Sequence, residues 1–110
     1  MASPNNRNLP AGAIPSYACT GGGGVPRGYQ QLTAAQLASA IGLTIPTGAV
    51  LALLQAELEA VRWRDDGTSP TSSIGMMLQP GQLPFVYTAS LSSIKFIAAA
   101  ADAVLNVSYY

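Results

Sequence analysis

The chain has 110 residues, of which 49% are hydrophobic and only 9% charged, against roughly 25% charged in an average soluble protein. Five basic and five acidic side chains cancel, leaving no net field for a polyanion, so nucleic-acid binding through phosphate contacts has no support. Histidine is absent, which excludes Ser-His-Asp and Cys-His nucleophilic machinery and histidine-bearing zinc sites; the expectation is a protein that is not an enzyme and uses no cofactor.

Met1 to Pro10 is polar and interrupted by Pro4 and Pro10, unlike a secretory leader. Through Pro46 the chain carries seven of its eleven glycines and five of its eight prolines, including Gly21 to Gly24, but only two charges, Arg7 and Arg27. Leu9, Ile14, Tyr17, Val25 and Tyr29 follow neither a period of two nor one of 3.6, so Met1 to Gln30 reads as an extended arm. Because it is almost uncharged, unlike a solvated disordered tail, it is expected to dock on a neighbouring subunit. The single cysteine, Cys19, allows no internal disulfide. In Leu32 to Leu43, Thr33 can cap a short helix near residues 33–41, with Leu37, Ala38 and Ile41 on one face and Gly42 near its end. Residues 1–46 are thus an arm with a short helix, and residues 47–110 a separate β-domain.

From Thr47 the pattern is one of strands and turns. Val50 to Leu58 reads as a strand. In Glu59 to Arg64, Val61 and Trp63 share one face while Arg62 and Arg64 share the other. Leu54, Ala56 and Leu58 have the opposite parity, so a continuous strand needs a bulge near Glu59 or Ala60. Asp65-Asp66-Gly67 supplies a tight turn, Thr71 to Leu78 a return strand, and Gln79-Pro80-Gly81-Gln82 a second turn. Leu83, Phe85 and Tyr87 then alternate with Pro84, Val86 and Thr88. Ile94, Phe96, Ala98 and Ala100 alternate with Ser93, Lys95 and Ile97, and after a turn near Asp102 Leu105, Val107 and Tyr109 oppose Val104, Asn106, Ser108 and Tyr110, with one of the two terminal tyrosines expected to pack inward. The fold class is all-β, a small antiparallel β-sandwich or barrel preceded by the arm and helix. No run of apolar residues approaches the length of a membrane-spanning helix. A domain of this size without disulfide or metal is marginal alone, which favours a homo-oligomer.

Candidate chemistry is sparse. Gly21 to Gly24 lacks the Lys-Ser or Lys-Thr of a phosphate-binding loop. Glu57 and Glu59 would share a strand face about 7 Å apart, with no pocket to raise one pKa. Asp65 and Asp66 do not have calcium-loop spacing. Neither a metal site nor a catalytic or cofactor-binding residue is assigned. Six of the ten charges, Glu57, Glu59, Arg62, Arg64, Asp65 and Asp66, fall within one short stretch and are the candidate interface. Candidate core anchors are Val61, Trp63, Phe85, Phe96, Leu105 and Val107.

Val61-Arg62-Trp63-Arg64-Asp65-Asp66-Gly67-Thr68-Ser69-Pro70-Thr71, with Ile74-Gly75-Met76, Ile94-Lys95-Phe96-Ile97 and the ending Leu105-Asn106-Val107-Ser108-Tyr109-Tyr110, resembles small accessory virion structural proteins of tailed bacteriophages over residues 47–110. Residues 62–71 also resemble one hairpin of fibronectin-like modules attached to carbohydrate-active enzymes. The first resemblance implies a virion protein assembled in the host cytoplasm, with other capsid, neck or tail subunits as partners and without a small-molecule substrate. Head decoration or cementing is the preferred role, with neck or tail accessory or fibre anchoring as the alternative. A carbohydrate-binding or adhesion module is the alternative from another class, and would need Trp63, Tyr87, Tyr109 and Tyr110 to form an exposed platform.

Overall fold

Strand side chains alternate between two faces, and a small all-β chain must turn every apolar face towards one shared interior. In the computed structural model, which describes residues 24–110, this is achieved with two antiparallel sheets. The strands are β1 (Gly28–Leu32), β2 (Ala52–Glu57), β3 (Val61–Arg64), β4 (Met76–Leu78), β5 (Phe85–Tyr87), β6 (Lys95–Ala98) and β7 (Val104–Tyr109). The first sheet has the order β1-β7-β2-β5 and the second β4-β3-β6. β1 and β2 share the first sheet and β3 and β4 the second, while the connections after β2, β4, β5 and β6 each pass from one sheet to the other.

Register fixes which side chains enter that core. In the first sheet Leu32, Leu105 and Ala56 form one inward row, Val107, Leu54 and Phe85 a second, and Tyr109, Ala52 and Tyr87 a third. In the second sheet Ala98, Val61 and Leu78 face Phe96, Trp63 and Met76 one step along. Val61, Phe96, Leu105 and Val107 are fully buried, joined by Leu37 and Ile94 from the connections. Arg62 and Arg64 lie on the outward face of β3, where Arg64 is opposite Lys95.

The parity change between β2 and β3 is made by a break in the chain and not by a bulge within a continuous strand. Leu58 has φ 73° and the Glu59 amide donates to the Glu57 carbonyl at 2.9 Å. This three-residue γ-turn carries the chain from one sheet to the other. As a result Glu57 ends β2 while Glu59 lies in the turn, so the two carboxylates do not share a strand face.

Other boundaries also differ from expectation. The helix near residues 33–41 is one 3-10 turn, Gln36–Ala38. Thr33 and Gln36 do exchange hydrogen bonds, Gln36 N to Thr33 Oγ1 at 3.4 Å and Thr33 N to Gln36 Oε1 at 3.0 Å, but Ser39 is already extended and Ile41 bridges to Phe96. Gly28–Leu32, expected to continue the arm through Gln30, is an edge strand paired with β7. The arm expectation for residues 1–23, and Cys19 with it, lies outside the described residues. The return strand shrinks from Thr71–Leu78 to Met76–Leu78. The Arg62 guanidinium binds the carbonyls of Ser72 at 3.1 Å and Gly75 at 2.9 Å, folding residues 71–75 over β3 as a loop. Gly75 has φ 146°, and a Cβ there would lie 3.1 Å from the Trp63 carbonyl oxygen, too close for any other residue without movement. Phe85, a candidate core anchor, has inward parity yet is 38% exposed, because it lies on an edge strand with no neighbour beyond it among the described residues.

Two outcomes follow from this packing. Phe96→Ala should cost about 3–5 kcal/mol in urea unfolding, and Phe85→Ala about 1–2 kcal/mol, because Phe85 is partly solvated already. Burial pushes the Tyr109 phenol up to about 12, whereas an unfolded tyrosine titrates near about 10. The folded state therefore holds this proton longer. The resulting stability is fully present below about pH 10 and is lost as pH rises from about 10 through about 12. The melting temperature should fall over that window, and Tyr109→Phe should flatten the fall.

Candidate interface at the open edge of the two sheets

The two sides of the fold are finished differently. On one side, residues 33–45 run from β1, the edge of the first sheet, to β6, the edge of the second. Ile41 exchanges backbone hydrogen bonds with Phe96 at 2.8 and 2.9 Å, and Leu37 is fully buried beneath this segment. That edge is covered. On the opposite side lie β4 and β5, the remaining edge strands, joined by Gln79 to Pro84, whose turn is closed by the Gln79 amide donating to the Gln82 side chain at 2.7 Å.

Burial along the inward rows decays towards that second side. In one row Phe96 is fully buried, Trp63 half-buried and Met76 62% exposed. In the facing row Val107 and Leu54 are buried and Phe85 is partly exposed. The core thus continues to the surface. Trp63 and Phe85 stack across the gap between the sheets, centroids 5.8 Å apart and planes 24° from parallel, while Tyr87 meets Trp63 edge-on at the same distance. Leu83, 90% exposed, stands beside them. Trp63, Met76, Leu83, Pro84 and Phe85 line an open groove of about 560 Å³ whose walls carry no charged side chain. Ile74, also exposed, lies past Met76 in a neighbouring cleft that Arg64, Asp65 and Asp66 line as well. This contiguous exposed apolar surface beside two edge strands makes this side of the fold the candidate interface.

The charged residues singled out from the sequence are not gathered into one surface. Glu57 lies on the outer face of the first sheet and accepts from Asn106 Nδ2 at 2.9 Å. Asn106 Oδ1 in turn receives Tyr29 and Gln31, so this polar network ties β1, β7 and β2 together. Glu59 is exposed in the γ-turn. Arg62 is committed to the loop carbonyls. Arg64 pairs with Asp66, which holds the Asp66 carboxyl below its ordinary range and raises the Arg64 guanidinium; the pair also neutralises Arg64 beside Lys95, where like charges on opposed strands repel. Asp65 accepts the Tyr87 hydroxyl at 2.7 Å. Burial first, and then this bond, push the Tyr87 phenol up. Five of the six charges are therefore engaged within the chain.

The aromatic residues needed for a sugar-binding platform are not gathered on the surface. Tyr87 and Tyr109 are buried in one inward row, and the Tyr109 hydroxyl donates to Gln30 at 2.6 Å. Met76 and Leu83 were not among the candidate residues, although the apolar Met76-Met77-Leu78 and Leu83 flanking a four-residue turn were visible in the sequence. Comparison with protein-family models, with curated proteins and with solved structures returns no match.

Replacing Met76 or Leu83 with Asp should leave unfolding stability within about 0.5 kcal/mol, as for most exposed sites. The same substitutions should abolish binding of an environment-sensitive hydrophobic dye, measured by its fluorescence.

Proposed function

We propose that this chain is a non-enzymatic structural subunit of a phage virion, a small two-layer β-sandwich that acts by assembly on neighbouring subunits, as a head decoration or cement protein. The observation that carries the assembly reading is the edge at β4 and β5, uncovered by any of the described residues, where the interior rows run out through Trp63 and Phe85 to exposed Met76 and Leu83. A surface so poor in charge is a solubility liability on a free monomer. Covered by another subunit, it becomes buried area that favours the complex. The virion assignment itself rests on the resemblance of residues 47–110. Burial of Tyr87 and Tyr109 weighs against the adhesion alternative, which needs them on the surface.

The proposed work is mechanical. Each subunit contributes area across a boundary between its neighbours, and the arm expected from the sequence of Met1 to Gln30 would tie it to an adjacent subunit. The test is electron cryo-microscopy of virions made with and without this chain. The decoration reading expects regular density on the head surface to vanish in its absence. Missing density at the neck or tail would transfer the role there. Indistinguishable particles from which the chain is absent would contradict a virion role.

A further inference from the structure

We infer that the groove between β4 and β5 receives the proline-rich segment Leu9 to Tyr17 from the arm of a second copy of this chain, an inference that rests on the assembly reading above and names its partner. Both sides of this contact lack charge. The groove is lined by Trp63, Met76, Leu83, Pro84 and Phe85 with no charged side chain, and the sequence from Asn8 to Pro26 contains none either. Within it, Leu9-Pro10 and Ile14-Pro15-Ser16-Tyr17 place apolar side chains next to prolines. Proline fixes its own backbone and biases the preceding residue towards extended geometry. Such segments dock in aromatic-lined grooves because little conformational entropy remains to be lost, and here the aromatic wall is the stacked Trp63–Phe85 pair.

The chain enters on the side of the first sheet away from its own groove. The Arg27 amide donates to the Tyr109 carbonyl at 2.8 Å, fixing the first described residues beside β1, at the opposite edge of the first sheet from β5. At about 3.1 Å per residue, Ile14 lies within about 30 Å of Gly24 along an extended chain, and Leu9 within about 45 Å. The described body measures 51 × 28 × 22 Å, so a segment of this length can cross the shorter dimensions of its own body or of an adjoining copy, and the choice of a second copy rests on the assembly reading. A contact in which the arm edge of one subunit meets the groove edge of the next is head-to-tail, and repeats into a ring or a filament.

Two full-length variants test this by complementation: Ile14→Asp keeps the groove and spoils the arm, whereas Leu83→Asp keeps the arm and spoils the groove. Sedimentation velocity should show the unmodified chain associating with rising concentration, and each variant alone associating at least about tenfold more weakly. An equimolar mixture of the two should form dimers, accompanied by a shift in emission of Trp63, the only tryptophan. Leu58→Asp, at an exposed leucine outside the groove, should associate as the unmodified chain does, and thermal unfolding of every variant verifies that it is folded. Variants that associate undiminished, or a mixture that stays monomeric, overturn the proposed contact. A chain that is monomeric throughout, with Trp63 emission altered equally in both variants at every concentration, shows the arm in its own groove and overturns it as well. These failures leave the virion role standing, since that is decided by the particle images and not by self-association.

Discussion

The constraint on which the structure depends is that β2 buries its even-numbered residues and β3 its odd-numbered ones. Leu54 and Ala56 point into the core from one sheet, Val61 and Trp63 from the other. Side-chain alternation permits this only if the chain changes parity as it changes sheet. Leu58 makes the change by adopting φ 73°, a conformation that costs a leucine of the order of 1 kcal/mol. Its own side chain is left exposed. The cost is offset by what the switch places inside, since a one-residue slip would bury Arg62 and Arg64 and expose Val61 and Trp63.

Once the switch is made, the sides of the fold are not equivalent. The segment after β1 reaches across to β6 and covers one side with Leu37 and the Ile41 bridge. No comparable segment among the described residues covers β4 and β5. The aromatic pair Trp63 and Phe85 holds the sheets together there but leaves apolar area in water. The low charge of the chain acquires a location in this way: five of its six clustered charges are spent on internal contacts, in particular Arg62 on the loop and Arg64 on Asp66, and the groove walls have none.

Much of the second half was legible because half-buried strands write their parity into the sequence. Val61 and Trp63 against Arg62 and Arg64, Phe96 against Lys95, and Leu105 and Val107 against Asn106 and Ser108 all lie on the faces their alternation implies. The less legible parts have physical reasons. β1 contributes Gly28 and Gln30 to its inward positions, so only Leu32 carries an apolar signal, and the strand is held by backbone pairing with β7. The helix expected after it has a sound cap in Thr33 and Gln36, but Ile41 gains more as a bridge to Phe96 than as part of a second helical turn. Phe85 shows the limit most directly, because parity states which face a residue is on and is silent about whether another strand lies beyond it. The charged stretch is divided for a related reason: closeness in sequence put Glu57 and Arg62 together, and the change of sheet at Leu58 separated them.

The central claim, that among the described residues the interior of this fold is left uncovered at β4 and β5 and that another chain covers it, is tested most directly by amide hydrogen exchange on dilute and on assembled protein. In dilute solution the account predicts slow exchange for the central strands β2 and β7 and much faster exchange for Met76–Leu78 and Phe85–Tyr87, with protection gained at those two segments on assembly. Equal protection of β4 and β5 in both states, or protection gained only on the already covered side at residues 33–45, would contradict it.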